Sequence, residues 1–307
     1  MVNGNMNHMP LVSIVTPSFN QGQFIEDTLL SVKNQNYSNI EHIVCDGGST
    51  DNTIDLLKKY EKEYSLKWFS EQDKGQSDAI NKGFRRVKGD IVGWLNSDDV
   101  YFSKDVFSYV VEEFERNPDV DVIYGDDVFI DANNKVFRLR KILDWNYNKL
   151  LRRFSLSQPA TFFRINVVKE NKLDEKLGYS MDLDFWLRLG KLYKFKHLNR
   201  VLEGNRIHST RKRLKAGICG EEDKDVLKKY GQNFGVSYYV LRYLWDYPDV
   251  MIKRLAGIID IFTIKRSLKQ SNLTLDVECP ENTLSLIFYQ IAPWQLLKLG
   301  NLNFERK

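Results

Sequence analysis

The stretch GDIVGWLNSDDVY, residues 89–101, gives the clearest indication of the fold. Five of its six residues from 91 to 96 are apolar or glycine, which is typical of a strand buried on both faces. The run then ends in four polar residues: Asn96, Ser97, Asp98 and Asp99. Two adjacent carboxylates repel each other and are costly to desolvate unless a cation lies beside them. The stretch therefore predicts a buried strand that ends either in a divalent-cation site or in a solvated turn capping a helix near Ser103.

The preceding residues alternate between strand and helix patterns. Short β-branched runs at residues 11–18, 40–48 and 66–70 are each followed by a segment with helical spacing of apolar residues. This alternation predicts βαβ units and a mostly parallel sheet covered by helices on both faces, an α/β fold. Residues 122–140 differ, because they alternate apolar and polar residues around a turn and so predict an antiparallel hairpin.

A polar cluster follows each of the first four predicted strands. The clusters are residues 16–20 (TPSFN), 46–51 (DGGSTD), 71–76 (EQDKGQ) and 96–99 (NSDD). Parallel strands end at the same edge of a sheet, where α/β proteins bind their ligands. We therefore expect one ligand crevice lined by all four clusters.

The residue types suggest what that crevice binds. The Asp98 region offers the oxygen ligands that Mg²⁺ or Mn²⁺ prefers and leaves room for substrate phosphates. Asp46 could accept hydrogen bonds from a base or ribose, and Phe19 could flank a planar base. Each motif also has a purely structural interpretation as a turn or a helix cap.

Two later segments carry further candidates. In SMDLDFW, Asp182 and Asp184 lie two apart at the start of a predicted helix, so one could cap it while the other acts as a general base. In GNRIHST, Arg206, His208 and the following Arg211 could meet phosphates or a metal ion.

Composition excludes several classes of protein. The 307 residues are 42% hydrophobic and 28% charged, as in a globular protein, and no apolar run reaches the roughly 18 residues of a membrane span. Three scattered cysteines indicate no disulfide framework, and four histidines lack zinc-site spacing. There is no GxGxxG or Walker lysine, and the diffuse positive charge does not indicate nucleic-acid binding. A secretory signal is not evident at the N-terminus, so we predict a cytoplasmic protein.

Taken together, the four clusters and SMDLDFWLRL resemble the family 2 glycosyltransferases, which have the Rossmann-like GT-A fold. The resemblance covers residues 10–209 in the family's order and spacing. It implies an inverting transfer, of hexosyl or N-acetylhexosaminyl type, from a nucleotide-diphosphate sugar, UDP being the commonest nucleotide in the family. The implied acceptor is a hydroxyl of a glycan or lipid-linked molecule, in surface polysaccharide assembly.

The resemblance also implies roles for particular residues. Asp182 matches the catalytic base, and Asp98 and His208 match positions that approach the Mn²⁺ or Mg²⁺ ion. The nucleotide sugar would be bound by eleven residues: Thr16, Pro17, Phe19, Asn20, Asp46, Gly47, Lys74, Gln76, Asp78, Asn96 and Ser97.

Two departures from the family pattern leave an alternative open. Asn96 stands where the family usually has Asp, and Met181 stands where it usually has Glu. The alternative is a catalytically inactive nucleotide- or glycan-binding subunit of the same fold. A nucleotidyltransferase is less compatible, since the loop after the first strand lacks Lys and Arg.

We divide the chain into a flexible N-terminus (1–9), a GT-A domain (10–215) and a C-terminal helical region (216–307). Residues 250–269 mix apolar and basic side chains, so they either contact the inner face of an anionic membrane or pack on the catalytic domain. Residues 284–299 are apolar enough to form a homodimer contact.

Overall fold

The computed structural model describes residues 9–152, 156–211 and 218–235. The strands of this part are β1 (Val12–Ser18), β2 (Ile40–Asp46), β3 (Leu66–Ser70), β4 (Ile91–Trp94), β5 (Val100–Tyr101), β6 (Val122–Ile130), β7 (Val136–Arg140), β8 (Thr161–Arg164) and β9 (Phe195–Arg206). The helices are α1 (Ile25–Lys33), α2 (Thr53–Tyr60), α3 (Gln76–Arg86), α4 (Val106–Arg116), α5 (Tyr147–Leu151), α6 (Ile165–Glu170), α7 (Met181–Leu189) and α8 (Ile218–Lys229).

The first four strands form the predicted parallel sheet. Their order is β3-β2-β1-β4, and β1 lies at the centre of this half, paired with β2 on one side and β4 on the other. Every residue of β1, β2 and β4 is buried, as the apolar runs predicted. The carboxyl ends of the four strands therefore lie along one edge of the sheet, which we call the carboxyl edge.

The second half makes the sheet mixed. β8 is antiparallel to both β4 and β6, β6 is parallel to β9, and β9 is antiparallel to the short β5. The predicted hairpin is present as β6 and β7. The α/β prediction is confirmed.

Helices cover both faces because successive strand residues point in opposite directions. On one face, Val15 and Trp94 of the sheet pack in a core with side chains of α3, α6 and α7. On the other face, Ile14 and Ile91 pack with side chains of α1 and α4, and Val44 packs with α1 and α2. The sheet is thus fixed from both sides, which makes its carboxyl edge a rigid support for a site.

Strand β9 brings a distant part of the chain to the carboxyl edge. Its last residue, Arg206, donates its backbone N–H to Asp99 Oδ1 at 2.9 Å, although 107 positions separate the two residues. His208 follows two residues later. The end of β9 and the turn after β4 therefore form one unit.

Candidate functional site

The four polar clusters meet at the carboxyl edge. The backbone N–H of Gly47 donates to the Ser18 carbonyl at 2.8 Å, and that of Glu71 donates to the Asp46 carbonyl at 3.0 Å. Gln76 Nε2 donates to Asn96 Oδ1 at 3.1 Å, which joins the third cluster to the fourth. The single crevice predicted from the strand order is thus supported by direct contacts between clusters.

Asp46 shapes the loop after β2. Its buried carboxylate accepts hydrogen bonds from the backbone N–H groups of Gly48 (3.0 Å) and Ser49 (2.9 Å) and from the hydroxyls of Ser49 (2.5 Å) and Ser70 (2.6 Å). Gly48 has a φ of +87°, which permits this tight turn without the strain that a side chain would introduce. Asp46 therefore fixes the conformation of this loop at the carboxyl edge, and its binding of a base or ribose stays a prediction.

The loop after β1 is joined to the same turn. Asn20 accepts a hydrogen bond from the Thr50 N–H at 2.8 Å and donates its own N–H to Ser49 Oγ at 2.7 Å. Phe19 is 57% exposed, an unusual state for a phenylalanine and one that suits a planar ligand. A Cβ at Gly47 would lie 3.4 Å from the Phe19 ring and 2.5 Å from an Asp73 oxygen, so a side chain there would displace the Asp73 carboxylate.

Two of the predicted donor-binding residues, Thr16 and Pro17, are buried within β1. Thr16 Oγ1 is 2.9 Å from His42 Nε2 on the neighbouring strand β2. Both residues directly precede the loop after β1, and their contact with a nucleotide sugar stays a prediction.

The third cluster opens α3. Asp78 accepts the Lys74 N–H at 3.1 Å and forms an ion pair with Lys82 at 3.1 Å, while the Lys74 side chain is exposed. Asp78 thus fixes the start of α3 at the carboxyl edge, and the binding of a nucleotide sugar by Lys74, Gln76 and Asp78 stays a prediction.

Asn96 is a hub of the turn after β4. Its Oδ1 accepts from Gln76 Nε2 and from Trp94 Nε1, both at 3.1 Å. Its Nδ2 donates to Asp99 Oδ2 at 3.1 Å and to Gln158 Oε1 at 2.9 Å. An aspartate could not make the two donations, so the departure from the family pattern has a structural reason. Gln158 was not predicted, because nothing in the local sequence of residues 156–160 marks it.

Asp98 and His208 form the metal-binding candidate. Asp98 Oδ2 lies 3.0 Å from His208 Nε2, and Ser97 is buried beside them. His208 Nδ1 is 2.8 Å from Thr210 Oγ1, and the His208 and Phe24 ring centroids are 4.4 Å apart, which fixes the imidazole. Two neighbouring ligands of an octahedral ion at roughly 2.1 Å also lie about 3 Å apart, so the pair fits Mn²⁺ or Mg²⁺.

The described ranges contain no group of three or more His, Cys, Asp or Glu side chains arranged to hold a metal. Two protein ligands fit a hard cation whose other positions are taken by water and substrate phosphates.

Asp99 differs from its neighbour. Burial raises the pKa of the Asp99 carboxyl to about 7, and the negative charge of Asp98 adds to the shift. Its oxygens accept from the Arg206 N–H and from Asn96 Nδ2. The alternative that these carboxylates cap the next helix is wrong, because α4 begins only at Val106.

Arg206 hydrogen-bonds to three separate segments around the site. Its buried guanidinium donates to the Asp98 carbonyl at 2.8 Å, to Asp27 Oδ2 at 2.9 Å and to Asn134 Oδ1 at 2.6 Å. Arg206 therefore fixes the backbone of the turn that contains Asp98. Its direct contact with a ligand phosphate stays a prediction.

The two carboxylates at the start of α7 have different surroundings. Asp182 is partly exposed, and its Oδ1 accepts the Leu183 N–H at 2.8 Å. Asp184 is fully buried and binds Arg188, Lys229 and Tyr230. Met181 is buried in the apolar core, which explains its departure from the family pattern.

This geometry can be compared with known proteins. Residues 13–169, just over half of the chain, match the family described as Glycosyl transferase family 2. The chain belongs to this family. The resemblance stated from the sequence is therefore confirmed.

Two curated relatives synthesise polysaccharides. The hyaluronan synthase of Pasteurella multocida is 26% identical over 242 residues, 76% of this chain and 24% of the relative. The chondroitin synthase of Escherichia coli is 25% identical over 76% of this chain and 34% of the relative. The chain thus spans only about a quarter to a third of the length of these family 2 relatives.

Solved structures show the same fold. Residues 1–349 of S. aureus TarS in complex with UDP-GlcNAc superimpose with a TM-score of 0.58 at 19% identity, covering 70% of this chain and 64% of that TarS fragment. A Pyrobaculum calidifontis mannosyltransferase in complex with GDP-Man and Mn²⁺ superimposes with a TM-score of 0.54 at 15% identity, covering 92% and 85%. The GT-A prediction is confirmed by these likenesses.

No helix in the described ranges is long and apolar enough to span a bilayer. The predicted membrane contact (250–269) and homodimer contact (284–299) lie outside the described residues.

Proposed function

We propose that this family 2 protein is a metal-dependent inverting glycosyltransferase that moves a sugar, of hexosyl or N-acetylhexosaminyl type, from a nucleotide-diphosphate sugar to a hydroxyl of a glycan or lipid-linked acceptor. The observation that carries the proposal is the convergence of Asp98 and His208 at 3.0 Å on the carboxyl edge, beside four loops suited to a nucleotide. We propose a UDP-sugar as the donor and surface polysaccharide assembly as the setting.

The chain's own residues can carry out a single displacement. Asp182 takes the proton from the acceptor hydroxyl, whose oxygen then forms a bond to the anomeric carbon from the face opposite the diphosphate. The bond between that carbon and the diphosphate oxygen breaks, so the configuration inverts. Asp98 and His208 would hold Mn²⁺ or Mg²⁺, which when bound offsets the negative charge on the leaving diphosphate.

The Asp98 assignment predicts a lost metal response. Wild-type protein should be stabilised by UDP or GDP with Mn²⁺, by about 2.7 kcal/mol at a ligand concentration a hundredfold above Kd. In Asp98→Ala the Mn²⁺-dependent part of the thermal shift should disappear. Asp55→Ala, which removes an exposed carboxylate on α2, serves as the matched control. A Mn²⁺ response that persists in Asp98→Ala would refute the assignment.

The Asp182 assignment predicts a separation of binding from catalysis. Asp182→Asn keeps the size of the side chain but removes the base, so donor binding should persist while nucleotide release from the nucleotide sugar and transfer are abolished. Isothermal titration with the donor and a nucleotide-release assay test this pair of outcomes. Turnover retained in Asp182→Asn would place the base elsewhere.

The alternative of an inactive binding subunit predicts nucleotide binding without turnover in the wild-type chain. The two departures that favoured it now have structural reasons, since Asn96 hydrogen-bonds to four side chains and Met181 is buried in the core. Nucleotide-sugar hydrolysis with and without Mn²⁺ separates the two functions.

A further inference from the structure

A carboxylate on α8 binds the backbone that leads into α7. Glu222 accepts the N–H of Gly178 at 2.8 Å through Oε1, and the N–H groups of Tyr179 and Ser180, both at 2.6 Å, through Oε2. Three successive backbone donors thus converge on one side chain. Such donors near a helix start lack partners within the helix, so the contact satisfies groups that would otherwise need water.

Helix α8 contacts α7 at a second level. Asp223, the neighbour of Glu222, accepts the Ser180 hydroxyl at 2.6 Å. One turn further along α7, the buried Asp184 binds Lys229 Nζ at 2.9 Å and the Tyr230 hydroxyl at 2.8 Å. Since the contacts involve both ends of α8, they fix the position and the rotation of the first turn of α7.

The segment before α7 is also bound by α3. Asn81 on α3 donates to the Leu173 carbonyl at 3.0 Å and accepts the Leu173 N–H at 2.8 Å. Helix α3 begins at the crevice with Gln76. The segment 173–180 is therefore fixed at one end by α3 and at the other end by α8.

Asp182 lies in the first turn of α7, two residues after the last N–H that Glu222 binds. A general base must lie within hydrogen-bond reach of the proton it removes, and a displacement of 1 Å can lower a rate about a hundredfold. We propose that Glu222 is a positioning residue for the catalytic base and that α8 is a functional part of the active site. This inference rests on the proposed function, in which Asp182 is that base.

The experiment compares Glu222→Ala and Glu222→Gln with Glu221→Ala, which removes the exposed neighbouring carboxylate. Initial rates of nucleotide release are measured with UDP-, GDP- and dTDP-hexoses and Mn²⁺. For the donor that wild type uses, Glu222→Ala should lower kcat about 10- to 100-fold while the donor KM stays within about twofold. Glu222→Gln retains one acceptor oxygen and should recover part of the loss, and Glu221→Ala should behave as wild type.

A second readout does not depend on catalysis. Hydrogen exchange of the Gly178, Tyr179 and Ser180 amides should accelerate at least tenfold in Glu222→Ala and stay unchanged in Glu221→Ala. In Glu222→Gln, whose single acceptor oxygen cannot serve all three donors, at least one of the three amides should accelerate to that extent. Wild-type protection of all three amides in Glu222→Gln would overturn the proposed contact, even if Glu222→Ala failed to fold.

Different results would contradict the positioning role of Glu222 and the proposed glycosyltransferase function. If Asp182→Asn is inactive but Glu222→Ala keeps the wild-type kcat, the positioning role is wrong and the proposed function stands. If wild type turns over none of the nucleotide sugars, or Asp182→Asn remains active, the proposed function or its base assignment is wrong, and the positioning role fails with it.

Discussion

At the scale of single residues, Asn96 shows how a departure from a motif can be read. An amide accepts and donates at once, and Asn96 uses both abilities between Gln76, Trp94, Asp99 and Gln158. A carboxylate there would face the Asp99 carboxylate at hydrogen-bond distance, and like charges at that distance raise each other's pKa. The substitution therefore keeps the turn stable before any cation binds.

His42 predicts how stability depends on pH. Burial lowers the pKa of this imidazole from its ordinary 6.5 to about 3, while its nitrogens contact Thr16 and Tyr64 at 2.9 and 2.8 Å. The unfolded chain binds a proton below pH 6.5 and the folded chain does not. The stability contribution of the neutral ring is thus fully present above pH 6.5 and is lost as pH falls toward about 3.

Between pH 7.5 and pH 5, this single group should lower the free energy of unfolding by about 2 kcal/mol. Urea unfolding of wild type and of His42→Gln at both pH values measures the effect, because every other group titrates alike in the two proteins. The wild type should lose about 2 kcal/mol more than the variant. Equal losses would show that His42 is protonated in the folded protein.

At the scale of elements, α3 depends on a close approach to the sheet. A Cβ at Gly83 would lie 2.3 Å from Val15 Cγ1 and 3.1 Å from Cys45 Sγ, both in buried strands. Alanine favours a helix over glycine by about 1 kcal/mol, but overpacking a core typically costs about 1–3 kcal/mol. The absence of a side chain at position 83 therefore sets the distance between α3 and β1.

The 2.3 Å contact belongs to the upper part of the overpacking range, about 2–3 kcal/mol, and the helix propensity of alanine returns about 1 kcal/mol. We therefore expect Gly83→Ala to lower the free energy of unfolding, measured by urea denaturation, by about 1–2 kcal/mol. Arg85→Ala, at an exposed position of the same helix, should change it by less than about 0.5 kcal/mol. Adding Val15→Ala to Gly83→Ala makes room for the new methyl group, so the two changes should be less than additive. A neutral Gly83→Ala would mean that α3 can shift away from β1 freely.

The elements of the first half were predictable because each carries its own pattern. Strands such as β1 and β4 are apolar runs bounded by polar clusters, and α1 to α3 have helical spacing. Strands β8 and β9 were not predicted, since their sequences, such as TFFR in β8, do not alternate over a sufficient length. Their place in the sheet depends on pairing with β4 and β6, which is a tertiary effect.

At the scale of the whole molecule, the site also has a part that the sequence predicts and a part that depends on tertiary contacts. The crevice could be predicted because parallel strands end at one edge, and Asp98 follows β4 directly. Three contacts of the site could not be predicted: those of Arg206 with Asp98, of Gln158 with Asn96, and of Glu222 with the segment before α7. Each of them joins residues that are 42 to 108 positions apart in the sequence. Sequence patterns report local periodicity, whereas such contacts are selected by the folded shape.

The antiparallel strand β8 in the middle of the sheet also has a consequence for biosynthesis. Residues 9–94 can form β3-β2-β1-β4 soon after they leave the ribosome, but β4 gains its second neighbour only when residues 161–164 have been made. Until then an apolar strand presents unpaired backbone groups to other nascent chains, and such edges promote aggregation. The interval of synthesis between β4 and β8 is therefore when a chaperone would have most effect on the yield of this protein.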